Sequence, residues 1–244
     1  MDSIIKPSKS PNDSHVCRNI TNDICFTSPA DSHNYSNFNK LFKLNDMKKI
    51  ALVFILLMPA ILQAQDLIPY KKAIPKISAT GIITMPNSQE KITIEGFNDK
   101  DVTIFFIIRH AEKDTAGGTN ADLNPIGRGR ANAFVQIFKK IRIHKVYSTD
   151  KPRTKNTAKP LAAFKRRPVE IYDAKKQREL LEMLIKIEKG KKIFIVGHSN
   201  TVPQLVNILR GADVEKDLAD SDYSTMYIVS VKKIGEAKVQ VIHF

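Results

Sequence analysis

Residues 102–112 read VTIFFIIRHAE, and this stretch decides the fold of the chain. Its first seven residues, 102–108, form a nearly continuous apolar run. Such a run is typical of a strand that is buried on both faces, as in a central parallel sheet. Arg109 and His110 follow it directly, so we expect this strand to deliver two polar side chains at its carboxyl end.

Strand-like and helix-like segments alternate along the chain after this run. Asn124 and Pro125 predict the cap and first position of a helix that extends to about residue 140. Further helices are expected at 151–164, 175–189 and 202–210, and strands at 145–148, 169–172, 192–196, 225–231 and 237–244. Upstream, residues 77–84 and 91–95 predict a hairpin. The alternation predicts an α/β fold, a three-layer α/β/α sandwich with a mostly parallel central sheet.

Composition excludes several classes of protein. The 244 residues are 42% hydrophobic and 26% charged, which is ordinary for a globular domain and excludes a collagen, a coiled-coil rod, a disordered chain and a polytopic membrane protein. The net charge of +14 favours anionic substrates. Nucleic acid is not expected as a partner, because the lysines are scattered and no aromatic stacking platform is present.

The N-terminal quarter of the sequence predicts that the protein is exported from the cytoplasm. Met47 and two lysines precede 13 mainly apolar residues at 50–62, and Ala64 follows, as in a secretory signal peptide that is cleaved after Ala64. The predicted organisation is an upstream segment without structure at 1–46, a signal peptide at 47–64, an extended leader at 65–76 and a folded domain at 77–244. This predicts a periplasmic or secreted protein that has no stable membrane span after cleavage. Two interpretations of 1–46 stay open: an over-long gene start, which we favour, or a cytoplasmic tail followed by an uncleaved anchor.

Charged and imidazole side chains follow three of the predicted buried strands. Arg109 and His110 come after the first, Arg153 lies shortly after the strand at 145–148, and His198 follows the strand at 192–196. Two guanidinium groups suit a tetrahedral dianion, and a neutral imidazole can attack phosphorus. A metal site would need a third ligand at a fitting spacing, and none accompanies the two histidines, so neither a metal nor a cofactor is expected.

Four motifs in this order resemble the histidine phosphatase superfamily, which includes the phosphoglycerate mutases. The motifs are FIIRHAE at 106–112, LNPIGRGRA at 123–131, VYSTDKPRTKNTA at 146–158 and FIVGHSN at 194–200. The resemblance implies a phosphoglycerate mutase-like fold. It also implies that His110 is the nucleophile that becomes phosphorylated and that Arg109, Arg153 and His198 hold the phosphoryl group.

Two departures from the family pattern concern the edges of the site. The mutase branch places an asparagine six residues after the nucleophile, where this chain has Ala116, so we expect backbone groups of Gly117 and Gly118 to substitute or the pocket to be more open. Many members also carry an acidic residue in an insertion between the second arginine and the second histidine. Only 44 residues separate these positions here, which predicts a short form without the lid insertion.

The sequence therefore leaves two carboxylates as candidates for the general acid. Glu112 is nearest in sequence to the nucleophile and is the first choice, and Asp173 is the second. The predicted activity is that of a metal-independent phosphomonoester hydrolase, with a phosphorylated small molecule, glycan or protein as substrate. A mutase is a rival within the enzyme class. A phosphohistidine phosphatase and a catalytically weak module that binds phosphorylated ligands also stay open.

Overall fold

A computed structural model describes residues 73–86 and 88–244. The predicted upstream segment, the signal peptide and most of the leader lie outside these residues and stay predictions. The strands are β1 (Lys76–Ile77), β2 (Ile82–Thr84), β3 (Lys91–Thr93), β4 (Thr103–Arg109), β5 (Lys145–Ser148), β6 (Val169–Ile171), β7 (Lys192–Gly197), β8 (Thr225–Val231) and β9 (Ala237–His243). The helices are α1 (Pro125–Ile137), α2 (Pro152–Phe164), α3 (Gln177–Ile187) and α4 (Thr201–Arg210), with a 3-10 helix at Thr115–Asn120.

The main sheet has six strands in the order β6-β5-β7-β4-β8-β9. The strands β6, β5, β7 and β4 pair in parallel, whereas β8 and β9 complete the sheet in antiparallel fashion. This confirms a mostly parallel sheet. Its register aligns Arg109 at the end of β4 with Gly197 at the end of β7, and Val196 with Ser148 of β5. The residues that follow these three strands therefore meet at one edge.

Helices cover both faces of the sheet, as the apolar run in β4 requires. Phe106 on one face packs edge-on against Phe138, just beyond α1, with ring centroids 4.9 Å apart. Phe105 on the other face belongs to a core with Leu181 of α3 and Leu205 of α4. Successive side chains of β4 thus enter different hydrophobic layers, and the three-layer sandwich is confirmed.

The local signals at the helix ends mostly hold. The side chain of Asn124 accepts a hydrogen bond from the Gly127 N–H at 2.8 Å, and Pro125 begins α1 as predicted. Gly211 ends α4 in the left-handed region, at φ 73°. Ile126, on the first turn of α1, is 50% exposed although it is apolar. The helix predicted at 175–189 is shorter at both ends, as α3.

The N-terminal strands form a separate three-stranded antiparallel sheet, β1-β2-β3. The predicted hairpin is confirmed between β2 and β3. The strand expected at 77–84 is instead broken by a turn, so that β1 pairs back onto β2. Gly81 allows this turn at φ 82°, and the ring of Phe97 occupies the space where a Cβ would lie. Within the described part of the chain, every helix is too short or too polar to cross a bilayer.

Candidate active site

The carboxyl ends of β4, β5 and β7 bring three of the four sequence motifs together. The His110 N–H donates to the Gly197 carbonyl at 2.9 Å, which continues the pairing of β4 with β7 by one residue. His198 follows directly, and its ring lies 5.5 Å from that of His110, centroid to centroid, at 66°. Arg153 enters from the first turn of α2 and lies 3.4 Å from His198, from Nη2 to Nδ1.

His110 is held as a neutral imidazole with a defined tautomer. The ring is 3% exposed, and Nδ1 lies 2.8 Å from the Ala111 carbonyl oxygen. Because a carbonyl oxygen can only accept, the proton sits on Nδ1 and the lone pair sits on Nε2. Burial lowers the pKa of His110 to about 3, against the upward pull of that hydrogen bond, and the nearby guanidinium groups lower it further. Nε2 is therefore an unprotonated nitrogen at neutral pH.

His198 has the opposite tautomer, set by a chain of hydroxyl groups. Thr154 donates to backbone carbonyls, so Thr149 Oγ1 donates to Thr154 at 3.0 Å and accepts from His198 Nε2 at 2.9 Å. Nδ1 of His198 then carries the lone pair and accepts from Arg153. Burial lowers the pKa of His198 to about 4, and Arg153 and Arg109 add to this shift.

Arg109 serves the site and a neighbouring loop at once. Its guanidinium is 5% exposed, and Nη1 donates to the carbonyls of Ala219, Asp220 and Asp222 at 2.8–3.1 Å. Nε is buried and has no hydrogen-bond partner in the described part of the chain. Nη1 of Arg109 thus anchors residues 219–222. The other guanidinium nitrogens are left for the predicted binding of phosphate.

Arg153 likewise uses one nitrogen to hold a neighbouring loop, while another nitrogen has no hydrogen-bond partner among the described residues. Nη1 donates to the Thr119 carbonyl of the 3-10 helix at 2.9 Å, while Nε is buried without a partner among the described residues. Burial lowers the pKa of this guanidinium, Arg109 lowers it further and the Tyr223 phenol raises it. Buried donors without partners are costly, and an anion in the site would satisfy them.

The 3-10 helix occupies the position where the mutase branch has its asparagine. The Gly117 N–H donates to the Asp114 carbonyl at 3.3 Å, so it is not the free backbone donor that the sequence suggested for this turn. Gly118 adopts φ 58° and ψ −142°, with open space where a Cβ would be. The turn is therefore anchored to the site through Arg153, with free space beside Gly118.

The Glu112 carboxylate pairs with Arg130 of α1. It accepts two bonds from Arg130 Nε at 3.0–3.1 Å and one from Nη2 at 2.7 Å. The guanidinium is 4% exposed, and Nη1 also donates to the Phe244 carbonyl. Both carboxylate oxygens are thus engaged by Arg130, which leaves Glu112 less available for the predicted role of proton donor. Glu112 is close to His110 in sequence, but α1 packs against the chain just after β4 and brings Arg130 to the Glu112 carboxylate.

Asp173, the second candidate acid, lies on the other side of His198. It lines a groove of about 430 Å³ with Thr149, Lys151 and His198. The side chain is exposed and accepts the Lys175 N–H at 2.9 Å. Asp173 is therefore near the site but on the side of β6.

Several residues of the site were not found by sequence reasoning. Thr157 Oγ1 accepts the Ala111 N–H at 2.9 Å and donates to the Arg153 carbonyl, which ties α2 to the loop after the nucleophile. The position of Thr157 in the third motif could have indicated that it belongs to the site. Tyr223 lies with its ring centroid 6.0 Å from that of His110 and 4.4 Å from Arg109 Cζ. Nothing in the local sequence indicated Tyr223. No cluster of three or more potential metal ligands is found in residues 73–86 and 88–244.

Part of the chain is similar to known proteins. Residues 105–174 match the histidine phosphatase superfamily (branch 1), and no curated protein matches the chain. A structure of the protein histidine phosphatase SixA with tungstate is 16% identical, at a TM-score of 0.49 over 57% of this chain and 96% of its own. A mycobacterial glucosyl-3-phosphoglycerate phosphatase is 14% identical, at 0.49 over 59% and 98%. A phosphoserine phosphatase from Entamoeba histolytica, in complex with phosphoserine, is 17% identical, at 0.47 over 57% and 95%.

The matched segment contains the nucleophile motif, the start of α1 and Arg153, and the structure adds His198 to them at the same sheet edge. Only α2, β6, α3 and β7 with their connections fill the 44 residues between Arg153 and His198, which leaves no lid insertion. Residues 105–174 therefore resemble the histidine phosphatase superfamily (branch 1), in a short form without the lid insertion.

Proposed function

We propose that this protein hydrolyses phosphomonoesters through a phosphohistidine at His110, without a metal ion. The observation that carries the proposal is the hydrogen bond from His110 Nδ1 to the Ala111 carbonyl. It leaves the Nε2 lone pair available beside two guanidinium groups and a second imidazole. A neutral nucleophile among cationic donors is what phosphoryl transfer from an anionic ester requires.

The reaction follows from these groups in two displacements. His110 Nε2 attacks phosphorus, the bond to the leaving oxygen breaks, and the phosphoryl group stays on Nε2. Arg109, Arg153 and His198 hold the nonbridging oxygens, and the two arginine Nε donors without partners among the described residues are a source of new hydrogen bonds. A bound dianion favours protonation of His198 at Nδ1, which turns this acceptor into a donor. Water then attacks phosphorus and releases phosphate and neutral His110.

A phosphohistidine phosphatase is the second candidate. The pairing of Glu112 with Arg130 favours it, because the carboxylate nearest the nucleophile is occupied. An imidazole leaving group needs little help from an acid. The substrate would then be a phosphorylated protein, for which an open site without a lid insertion is suitable.

Trapping the covalent adduct tests the proposal. With an aryl phosphate and a rapid alkaline quench, the wild-type protein should show an acid-labile, base-stable phosphoryl adduct on His110, and His110→Ala should show none. Turnover should fall by about 10⁴-fold or more, while the free energy of unfolding changes by no more than about 1 kcal/mol. An adduct on serine or aspartate, or near-normal turnover of His110→Ala, contradicts the mechanism.

Metal independence has its own test. Vanadate should inhibit, since it mimics a five-coordinate phosphoryl group, and EDTA should leave activity intact. Activity that is lost with EDTA and restored by a divalent cation contradicts the proposal.

The proposed location is the periplasm or the cell exterior, supported by the tripartite segment 47–64. Intact mass of the protein exported by its host should correspond to a chain that begins at Gln65. Material that keeps residues 1–46 and stays bound to membranes contradicts cleavage.

A further inference from the structure

Tyr223 lies at the reacting histidine but belongs to none of the four sequence motifs. It sits in the connection between α4 and β8, half-buried, with its ring 4.4 Å from Arg109 Cζ and 6.0 Å from the His110 ring. The phenol is also near enough to Arg153 to raise the pKa of that guanidinium. Tyr223 therefore faces three of the groups that hold and attack the phosphoryl group.

The backbone around Tyr223 is anchored on both sides. Arg109 holds the carbonyls of residues 219, 220 and 222, immediately before it. The side chain of Asp222 accepts from the N–H groups of Ser224 and Thr225 at 2.9 and 3.1 Å, immediately after it. The ring is thus placed by the same guanidinium that serves the phosphoryl site, although the loop itself is largely exposed.

The Tyr223 hydroxyl is available for a substrate. None of the described residues forms a hydrogen bond with it. The two carboxylates are less suitable as proton donors, since Glu112 is bound by Arg130 and Asp173 is exposed on the far side of His198. An attacking nitrogen about 3 Å from phosphorus, in line with a P–O bond, puts the leaving oxygen roughly 5 Å from Nε2. The Tyr223 ring, with its centroid 6.0 Å from that of His110, therefore lies in the region where a leaving group would be.

We infer that the Tyr223 hydroxyl is the general acid that protonates the leaving oxygen. The inference rests on the proposed phosphohistidine reaction. As His110 Nε2 bonds to phosphorus and the P–O bond breaks, the phenol proton moves to the departing oxygen and an alcohol leaves. The stacked Arg109 cation stabilises the phenolate. The water that attacks phosphohistidine then returns a proton to the phenolate, as the N–P bond breaks.

The test uses leaving groups of different basicity. Tyr223→Phe keeps the ring over Arg109 and removes only the proton. For an alkyl phosphate, its kcat/KM should fall by about 100-fold or more, the usual contribution of a general acid. For 4-nitrophenyl phosphate, whose leaving group needs no proton, kcat/KM should stay within about threefold of the wild type. The matched control is Tyr227→Phe, which removes a phenol hydroxyl from β8 outside the site and should leave both rates unchanged.

Three results would overturn the assignment. Equal losses for both leaving groups in Tyr223→Phe would give the hydroxyl a merely structural role. A selective loss for alkyl phosphates in Glu112→Gln or Asp173→Asn, and none in Tyr223→Phe, would assign the acid to that carboxylate. Unchanged alkyl phosphate turnover in Tyr223→Phe would exclude the phenol. Failure of the phosphohistidine proposal is distinguishable, because the wild type would then form no adduct on His110 with either substrate.

Discussion

The two halves of the main sheet contribute to one site in different ways. The parallel half, β4 to β7, ends in residues fixed by main-chain pairing, such as the His110 N–H on the Gly197 carbonyl. The antiparallel half contributes the connection at 211–224, which is largely exposed and carries five carboxylates. In the proposed reaction, phosphoryl binding and attack depend on paired strand ends, whereas protonation of the leaving group depends on a loop. Arg109 joins the halves through its three carbonyl contacts.

The largest effect on stability is expected from loss of the ion pair between Glu112 and Arg130, which lies just after β4 of the parallel half. Glu112→Ala leaves the Arg130 guanidinium, 4% exposed, without its carboxylate. Removing one partner of a buried pair typically costs about 3 kcal/mol, which urea denaturation measures. The double variant Glu112→Gln/Arg130→Gln should recover part of this loss. A cost below about 0.5 kcal/mol for Glu112→Ala would show that the pair does not support the nucleophile loop.

Arg153→Ala tests how much the strand ends of the parallel half contribute to phosphate binding. Loss of a charge-assisted contact to phosphate costs about 2–3 kcal/mol, or roughly 30- to 150-fold in kcat/KM. The nucleophile itself is retained, so slow adduct formation on His110 should persist. A change below about threefold would mean that the Thr119 carbonyl, rather than substrate, is the main partner of Arg153.

The histidines of the parallel half should make the fold sensitive to acid. The pKa values of His110 and His198 are lowered from 6.5 to about 3 and about 4, so below pH 6.5 the unfolded chain binds more protons than the folded one. Stability is therefore lost as pH falls from 6.5 towards these values, by on the order of 1–2 kcal/mol per histidine at pH 5. Urea denaturation at pH 7, 6 and 5 should show a shallower loss for His110→Gln. Identical slopes in the variant and the wild type contradict the buried, neutral state of His110.

The smallest effect is expected at the exposed rim of the antiparallel half. Asp220 lies 3.6 Å from Arg109 Nη2, but its side chain is fully exposed. Water and salt screen such a pair, so Asp220→Asn should change kcat/KM by no more than about twofold. The backbone carbonyl of residue 220, which the substitution keeps, is the stronger partner of Arg109. A tenfold loss would show that the carboxylate itself helps to place Tyr223.

The sequence by itself determined the layered fold and the group of residues at the strand ends. The apolar run before Arg109 requires cover on both faces, and aligned parallel strands bring their carboxyl ends together. Asn124 and Pro125 marked the start of a helix through local backbone chemistry, and that prediction is confirmed. These features depend on neighbours in sequence, so a single chain is enough to see them.

Only the tertiary structure decided which side chains complete the site. Glu112 is two residues from His110 in sequence, yet its carboxylate pairs with Arg130 because the first turn of α1 packs directly on the Glu112 backbone at Gly127. Tyr223 is 113 residues from His110, yet the antiparallel pairing of β8 with β4 and the hold of Arg109 on the preceding carbonyls bring it to the reacting ring. A contact between distant residues is fixed by packing and by the geometry of buried donors, neither of which leaves a periodic or local signal in the sequence.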